Sequence, residues 1–404
     1  MAPCWSSRRA GNFSPGSDAL RRDVEYLAAL HRPSASPGER TAALWIADAL
    51  RDSGCTVSVE EERAHGTMWW PVGLMTAAAT AAGLISLRRS RFLGGLLGAC
   101  AALTIADDID SGRRRLRRAL PQSSTWNVVA ETGDIGASRT LVIMAHHDAA
   151  HTGLLFDQRL QRWVWEKHPG WLDRLHSSAP FWFPVVGGPA LVAVGSALRL
   201  RALVRVGTVL SAACTAALAD IGLRETVPGA NDNISAVAVQ LELARVLRRT
   251  PVTGLRVLLL SAGSEEALQE GILAFARRHF DELPRDSTYF FNLDTVASPH
   301  LLMPEGEGVL RMRDYDGAMK AAVVAAAEDA GVPLQRGLRA RVSTDAVVPM
   351  KAGYPAALLS SLTDWKALAN YHLPTDTAAN LDYDTLAGAA RLTEALVRRM
   401  AAGG

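Results

Sequence analysis

Five short segments of this chain place histidine or acidic side chains directly after or before apolar runs, where α/β folds build their sites. Ala145-His146-His147-Asp148 follows a run ending at Met144. His146 has the position of a metal ligand there, and Asp148 that of a carboxylate orienting the ring. Gly229-Ala230-Asn231-Asp232-Asn233 leads into an apolar helix pattern. Asn233 suits a helix cap, while Asp232 offers a carboxylate able to bridge two metals. Ser264-Glu265-Glu266 follows the run 257–260, so that one glutamate can bind metal while its neighbour serves as general base. Asn292-Leu293-Asp294 closes a fourth run. Tyr371-His372-Leu373-Pro374-Thr375-Asp376-Thr377 is a polar loop before the last helix.

Each segment alone has a structural explanation: a hydrogen-bonded histidine, a turn, a solvated pair of glutamates. Together they supply two imidazoles, three acidic ligands and a spare glutamate, an inventory that suits a pair of zinc ions. Two-metal sites hold their ions about 3.5–4 Å apart and need a carboxylate or water shared between them.

The elements that must position these groups follow from periodicity. Apolar spacing predicts helices over 19–30, 43–50, 234–247, 267–278, 315–330 and 383–400. Strand patterns occupy 56–59, 140–145, 255–261, 289–293 and 356–359. Strands alternating with helices predict an α/β fold with a mixed, largely parallel central sheet and helices on both faces.

In order and in wording, the five segments resemble the di-zinc exopeptidases of metallopeptidase clan MH, the group of the bacterial leucyl aminopeptidases and the glutamate carboxypeptidase type. That pattern is an HxD after a strand, a GAxDN before a helix, an EE, a strand-terminal Asp and a late HxxxD. Here it stands as AHHD, GANDNISA, SEEALQEG, FNLD and YHLPTD. The likeness spans residues 17–65, 119–155 and 225–404. It implies that His146 and Asp294 hold one zinc, that Glu266 and His372 hold the other, and that Asp232 bridges them. It also implies that Glu265 is the general base and that Asp148 braces His146. The implied substrate is a peptide, and the implied activity is an aminopeptidase releasing N-terminal residues. Ser343-Thr344-Asp345 resembles a late family loop, but Ala346 stands where a histidine is usual, and His147 replaces a common tyrosine. Two other readings use the same fold: a non-catalytic membrane interaction protein, and a single-zinc acyltransferase of the glutaminyl cyclase kind.

Composition adds a second theme. Of 404 residues, 49% are hydrophobic and 21% charged, and the apolar surplus is gathered in blocks. Residues 66–87 carry no charge and predict a transmembrane helix. Arg88-Arg89-Ser90-Arg91 then precedes a second apolar run, 92–106. Residues 175–198, a basic turn at Arg199-Leu200-Arg201 with Arg205, and the run 206–219 repeat the design. Two inserted apolar helical hairpins result, 66–107 and 175–223, each a long arm, an arginine-rich tip and a short arm. They are absent from the soluble members that the motifs resemble. Gly94 and Gly98 give a spacing that lets helices pack closely in lipid. Buried hairpins in a soluble core are the competing reading. The peptidase domain is then discontinuous over 17–65, 119–174 and 225–404, with 1–16 a disordered lead-in that has no apolar signal-peptide core. The expected location is a membrane, crossed several times, with the lipid bilayer as a partner. Orientation cues oppose each other: arginine-rich tips favour a cytoplasmic tip, whereas the run Arg113-Arg114-Arg115-Leu116-Arg117-Arg118 sits on the catalytic side. That run reads as a solvated or headgroup-facing patch. A net charge of +2 provides no field to gather nucleic acid. Four scattered cysteines form neither a disulfide framework nor a thiolate zinc site.

Overall fold

Continuous apolar runs become strands buried on both faces, the pattern that parallel sheets require. In the structure, a computed structural model that describes residues 15–168, 170, 174, 176–178 and 180–403, these runs form the centre of a seven-stranded sheet. The strands are β1 (Thr56–Ala64), β2 (Ser123–Gly133), β3 (Thr140–His146), β4 (Arg256–Ala262), β5 (Thr288–Leu293), β6 (His300–Leu302) and β7 (Ala356–Leu362), in spatial order β1-β2-β4-β3-β5-β7-β6. The four central strands, β4, β3, β5 and β7, are parallel, and the flanking pairings are antiparallel. A separate three-stranded sheet of two-residue strands lies near the end of β6.

Successive residues of β3 point to opposite faces, as the pleat dictates. Leu141 and Ile143 join a core with Leu20, Ile46, Leu241, Val323 and Leu396, from α1 (Pro15–Ala28), α2 (Pro37–Asp52), α7 (Ser235–Arg249), α9 (Gly317–Asp329) and α10 (Tyr383–Ala401). Val142 and Met144 join the core on the other face, with Ile272 and Phe275 of α8 (Glu270–His279). Helices cover both faces, as the sequence predicted.

The inserted segments form four helices: α3 (Trp69–Arg88), α4 (Arg91–Ile109), α5 (Phe183–Ala197) and α6 (Arg201–Gly222). They close a four-membered ring in which α3 packs on α4, α4 on α5, α5 on α6 and α6 on α3. Small residues bring the backbones together. A Cβ at Gly207 would lie 2.6 Å from the Gly188 carbonyl oxygen, and one at Gly94 2.5 Å from that of Ala82. Hydroxyls pair across the ring, Ser86 with Ser196 at 2.6 Å and Thr215 with Thr76 at 2.9 Å. The outward side chains are apolar, with Leu74, Phe92, Leu96, Leu103 and Val209 exposed. Of these helices, α3, α4 and α6 are long and apolar enough to cross a membrane, at 20, 19 and 22 residues; α5 is shorter.

The second hairpin differs from the sequence reading. Arg201 and Arg205 lie inside α6, which makes the second arm the longer one, because a helix tolerates arginine wherever the guanidinium reaches past the apolar zone. The basic run before β2 also differs. Arg114 and Arg117 are only 4% and 2% exposed, not solvated. Arg117 makes a bidentate pair with Asp108 of α4 at 2.9 and 2.8 Å and donates to the Thr67 carbonyl at 2.7 Å. Leu175 and nearly all of the 1–16 lead-in fall outside the described residues.

Both insertions leave from one end of the sheet. The first joins the end of β1 to the start of β2, where Ala64 pairs with Ser123, and β2 runs antiparallel to β4. The second leaves after β3. That end carries the carboxyl termini of the parallel strands, so the helical ring stands beside the site.

Candidate metal centre

His146 terminates β3, Glu265 and Glu266 follow β4, Asp294 follows β5, and His372 lies in the loop after β7. Asp232 comes from the turn ahead of α7. All of the sequence-predicted ligands thus converge on one end of the sheet.

The decisive geometry surrounds Asp232. One carboxylate oxygen lies 3.3 Å from Nε2 of His146, and the other lies 3.3 Å from Nε2 of His372. The same His372 nitrogen is 3.3 Å from Glu266 Oε2. Donors about 2.0–2.1 Å from a tetrahedral zinc lie roughly 3.3–3.4 Å from one another, so these separations suit ligands of a common ion. Ligand atoms of His146, Asp232 and Glu266 all lie within 4.8 Å of each other. Asp294 stands outside that tightest group but within electrostatic reach of Asp232, His146 and Glu266. Both ring nitrogens of His372 and Oε1 of Glu266 are buried without a hydrogen-bond partner. A nitrogen and oxygen donor set with such unsatisfied atoms fits a metal.

The loops are held by side chains that bind no metal. Asp148 accepts from the backbone N–H groups of Glu265 and Glu266 at 3.0 and 3.1 Å and from the Ser34 hydroxyl at 2.6 Å. It also lies 3.3 Å from Nδ1 of His146. One carboxylate therefore aligns a ligand from β3 with the two glutamates after β4, more than the bracing that the sequence suggested. Asp376 accepts from the N–H groups of Asn231 and Asp232 at 2.8 and 3.1 Å. Asn233 is not a simple helix cap: its side chain receives the Thr295 N–H at 2.9 Å and donates to Leu293 at 2.9 Å, tying the Asp232 turn to Asp294. Gln269 donates to Glu265 Oε1 at 3.2 Å. His147 is buried, with Nδ1 2.9 Å from the Ser261 hydroxyl, and burial pushes its pKa down to about 4.

Charge is concentrated here. Burial disfavours the ionised forms of both Asp232 and His372, yet their mutual attraction prevails. Asp232 stays below the carboxylate range through His146 and His372, and His372 is raised to about 10 through Glu266 and Asp232. Burial raises Asp294 to about 6, with Asp232 adding to it. Burial also lifts Glu265 well above its usual range, where Asp345, Glu266 and Asp294 reinforce the shift and His146 opposes it.

Two residues at the site carried no decisive sequence signal. Arg32 is fully buried and donates to the carbonyls of Pro228 and Gly229 at 2.7 and 2.8 Å, holding a positive charge against the acidic cluster. Asp345 is 1% exposed, and neither of its oxygens has a hydrogen-bond partner. Its loop therefore reaches the site without the histidine that Ala346 replaces.

The sequence profile of peptidase family M28 matches residues 217–397, the stretch that supplies Asp232, Glu265, Glu266, Asp294 and His372. The matched stretch is a little under half of the chain. The match supports a zinc metallopeptidase, and His146 lies outside the matched stretch. None of the curated proteins matches the sequence. Among solved structures, the chain is similar to the aminopeptidase from Aneurinibacillus sp. strain AM-1, with 16% identity, TM-score 0.52 and coverage of 94% of this chain and 93% of that one. It is similar to a zinc aminopeptidase from Bacillus subtilis, with 15% identity, TM-score 0.53 and 94% of each chain covered. It is also similar to the Bacteroides thetaiotaomicron glutaminyl cyclase, with 12% identity, TM-score 0.55 and coverage of 95% and 97%. At these identities the likeness shows the fold.

Proposed function

We propose that this chain is a membrane-anchored aminopeptidase that holds two zinc ions and releases residues from the N-terminus of peptides. The observation that carries the reading is the Asp232 carboxylate, whose two oxygens face one histidine each at 3.3 Å. That is the disposition of a carboxylate shared by two metal positions. His146 and Asp294 would complete one position, and Glu266 and His372 the other. Zinc held there supplies Lewis acidity, which polarises a carbonyl and makes water acidic near neutral pH.

The chain's own groups do the rest. Glu265 takes the proton of the attacking water and returns it to the departing amine, a role that needs a carboxyl with affinity for protons near neutral pH. Gln269 fixes which Glu265 oxygen is presented. Asp148 keeps Glu265 and Glu266 in register with His146. Chain-end recognition favours an amine. Asp345 offers a buried carboxyl with both oxygens unpaired, which suits an N-terminal ammonium. A substrate carboxylate would instead need a basic partner, and Arg32 is sealed from solvent against backbone carbonyls.

The test is a substrate panel, with aminoacyl and peptide substrates blocked or free at each end, before and after chelation. Hydrolysis of free-amine substrates alone, abolished by chelator and restored by zinc, is the expected outcome. Cleavage of N-blocked substrates from the carboxyl end contradicts the aminopeptidase reading. Cyclisation of N-terminal glutamine with one zinc per chain favours the cyclase alternative, and metal-free protein favours the scaffold alternative.

The membrane reading rests on the outward apolar surface of the helical ring and its glycine-mediated contacts. The protein is expected to sediment with membranes and to need detergent for release. Recovery as a soluble monomer from buffer alone contradicts it.

A further inference from the structure

Beside the metal centre lies a segment that the proposed chemistry does not use. After β3 the chain makes the turn Leu154–Phe156 and then a short helix, Arg159–Lys167. One side of this segment holds the loop that carries His372. Gln158 donates to the Leu368 carbonyl at 2.8 Å, and Gln161 donates to the Trp365 carbonyl at 2.9 Å. Trp165 lies against Trp365 with ring centroids 6.1 Å apart, and Phe156 against His372 at 4.4 Å. Gln158, Gln161 and Trp165 recur at helical spacing, so that side of the helix is occupied.

The other side is bare and apolar. Leu160 and Trp163 come two residues after those glutamines, which puts them across the helix, and they are 71% and 51% exposed. Leu154 and Leu155, in the turn, are 69% and 48% exposed. Four such side chains within ten residues are unlike the single exposed apolar residues of an ordinary surface.

Continuity with the helical ring indicates what covers this face. The Leu154 N–H donates to Asp220 near the end of α6 at 2.7 Å, and a Cβ at Gly153 would lie 2.7 Å from the Ile221 side chain. The segment therefore leaves the ring at the level where α6 ends. That end of the ring also exposes large apolar side chains: Trp70 at the start of α3, Phe181 and Phe183 at the start of α5, and Leu223 just past α6. The arginine-rich turns lie at the opposite end. Aromatic residues gather where a bilayer meets water, and a helix lying along that boundary buries its apolar side in it. Charge does not draw this helix there, because Arg159 pairs with Asp157 and Arg162 with Glu166. The contact is apolar and calls for acyl chains, not for an anionic headgroup.

We infer that the segment 154–163 rests in the surface of a phospholipid bilayer through Leu154, Leu155, Leu160 and Trp163, and carries the His372 loop directly above it. The inference rests on the membrane reading above for the bilayer itself. It adds a lipid contact outside the helical ring, made by an element that packs on the metal centre.

The experiment maps lipid contact by photolabelling. The full chain, loaded with zinc, is reconstituted into phosphatidylcholine nanodiscs containing a phosphatidylcholine with a diazirine near the ester end of one acyl chain. Illumination, digestion and mass spectrometry then locate the adducts. Adducts are expected on 154–163 and on the exposed ring residues Leu74 and Leu103. None is expected on Ile135, an exposed apolar residue at the opposite end of the sheet. Leu160→Glu combined with Trp163→Glu is expected to lower the yield on 154–163 roughly tenfold while the ring is labelled as before. Leu154→Ser combined with Leu155→Ser probes the turn if the first variant lowers the melting midpoint, and is expected to reduce the yield in the same way. Labelling of the ring with no more on 154–163 than on Ile135 overturns the inference and leaves the membrane reading standing. The same pattern with two chains per disc assigns the face to a second copy, which also overturns it. Labelling of neither ring nor segment removes the membrane reading and the inference with it.

Discussion

Glu265→Gln is expected to retain the wild-type zinc content while losing hydrolysis by about 100- to 10,000-fold, the usual contribution of a positioned general acid–base group. Three features support this size of effect. Glutamine matches glutamate in shape, and the backbone N–H of residue 265 still reaches Asp148 at 3.0 Å, so the neighbouring ligand Glu266 is not displaced. Glu265 belongs to none of the close contacts among His146, Asp232, Glu266 and His372. Its carboxyl is raised well above the usual range by burial and by Asp345, Glu266 and Asp294 against the pull of His146, which suits proton traffic and not permanent ionisation. Steady-state rates combined with metal quantification check it. A variant that keeps more than a tenth of wild-type turnover removes Glu265 from the proton-transfer role.

Arg117→Met is expected to destabilise the folded protein by about 3–5 kcal/mol, the range for removing one partner of a buried ion pair. Arg117 is shared among three parts of the fold. It pairs with Asp108 at the end of α4, donates to Thr67 just before α3, and lies 3.7 Å from Glu270 at the start of α8. Glu270 in turn accepts from the N–H groups of His65 and Gly66 at 3.0 and 2.8 Å. Without the guanidinium, the two buried carboxylates lose the hydrogen-bonded cation they share, and the neighbouring Arg114 acts on both only through space. The melting midpoint in detergent is expected to fall by several degrees, and Arg117→Met combined with Asp108→Leu is expected to recover part of the loss. An unchanged midpoint in the single variant contradicts the structural role. Because Glu270 follows Glu266 by four residues, this knot also joins the apolar helices to the Glu265–Glu266 loop.

The sequence disclosed the site because its chemistry is written locally. His146, Glu266 and Asp294 sit within a few residues of a strand end, and parallel strands bring their carboxyl ends together whatever the loops do. Asp232 and His372 were legible from their own local segments, GANDN before a helix and YHLPTD in a polar loop, and the structure gathers His146, Glu266 and His372 around the Asp232 carboxylate. What sequence reasoning missed depends on distant partners. Arg114 and Arg117 look like a solvated basic patch until α4 and α8 enclose them. Arg32 sits in a loop with two prolines, and nothing local indicates that a turn 196 residues away will bury its guanidinium. Strand β2 was not foreseen because Trp126-Asn127-Val128 breaks the apolar run. There the Asn127 side chain is satisfied in the interior by the Gly263 N–H and the Gly271 carbonyl. Asn233 has the composition of a cap, yet its amide bridges to β5, a contact set by tertiary placement. The arms of the second hairpin were misjudged because arginines at 201 and 205 read as a turn, whereas α6 carries them within its first turns.

The most direct test is anomalous diffraction at the zinc absorption edge from crystals of the full chain. Two peaks are expected, one on each side of the Asp232 carboxylate, the first against His146 and the second against Glu266 and His372. A single peak, or density remote from Asp232, would contradict the shared-carboxylate centre on which the proposed chemistry depends.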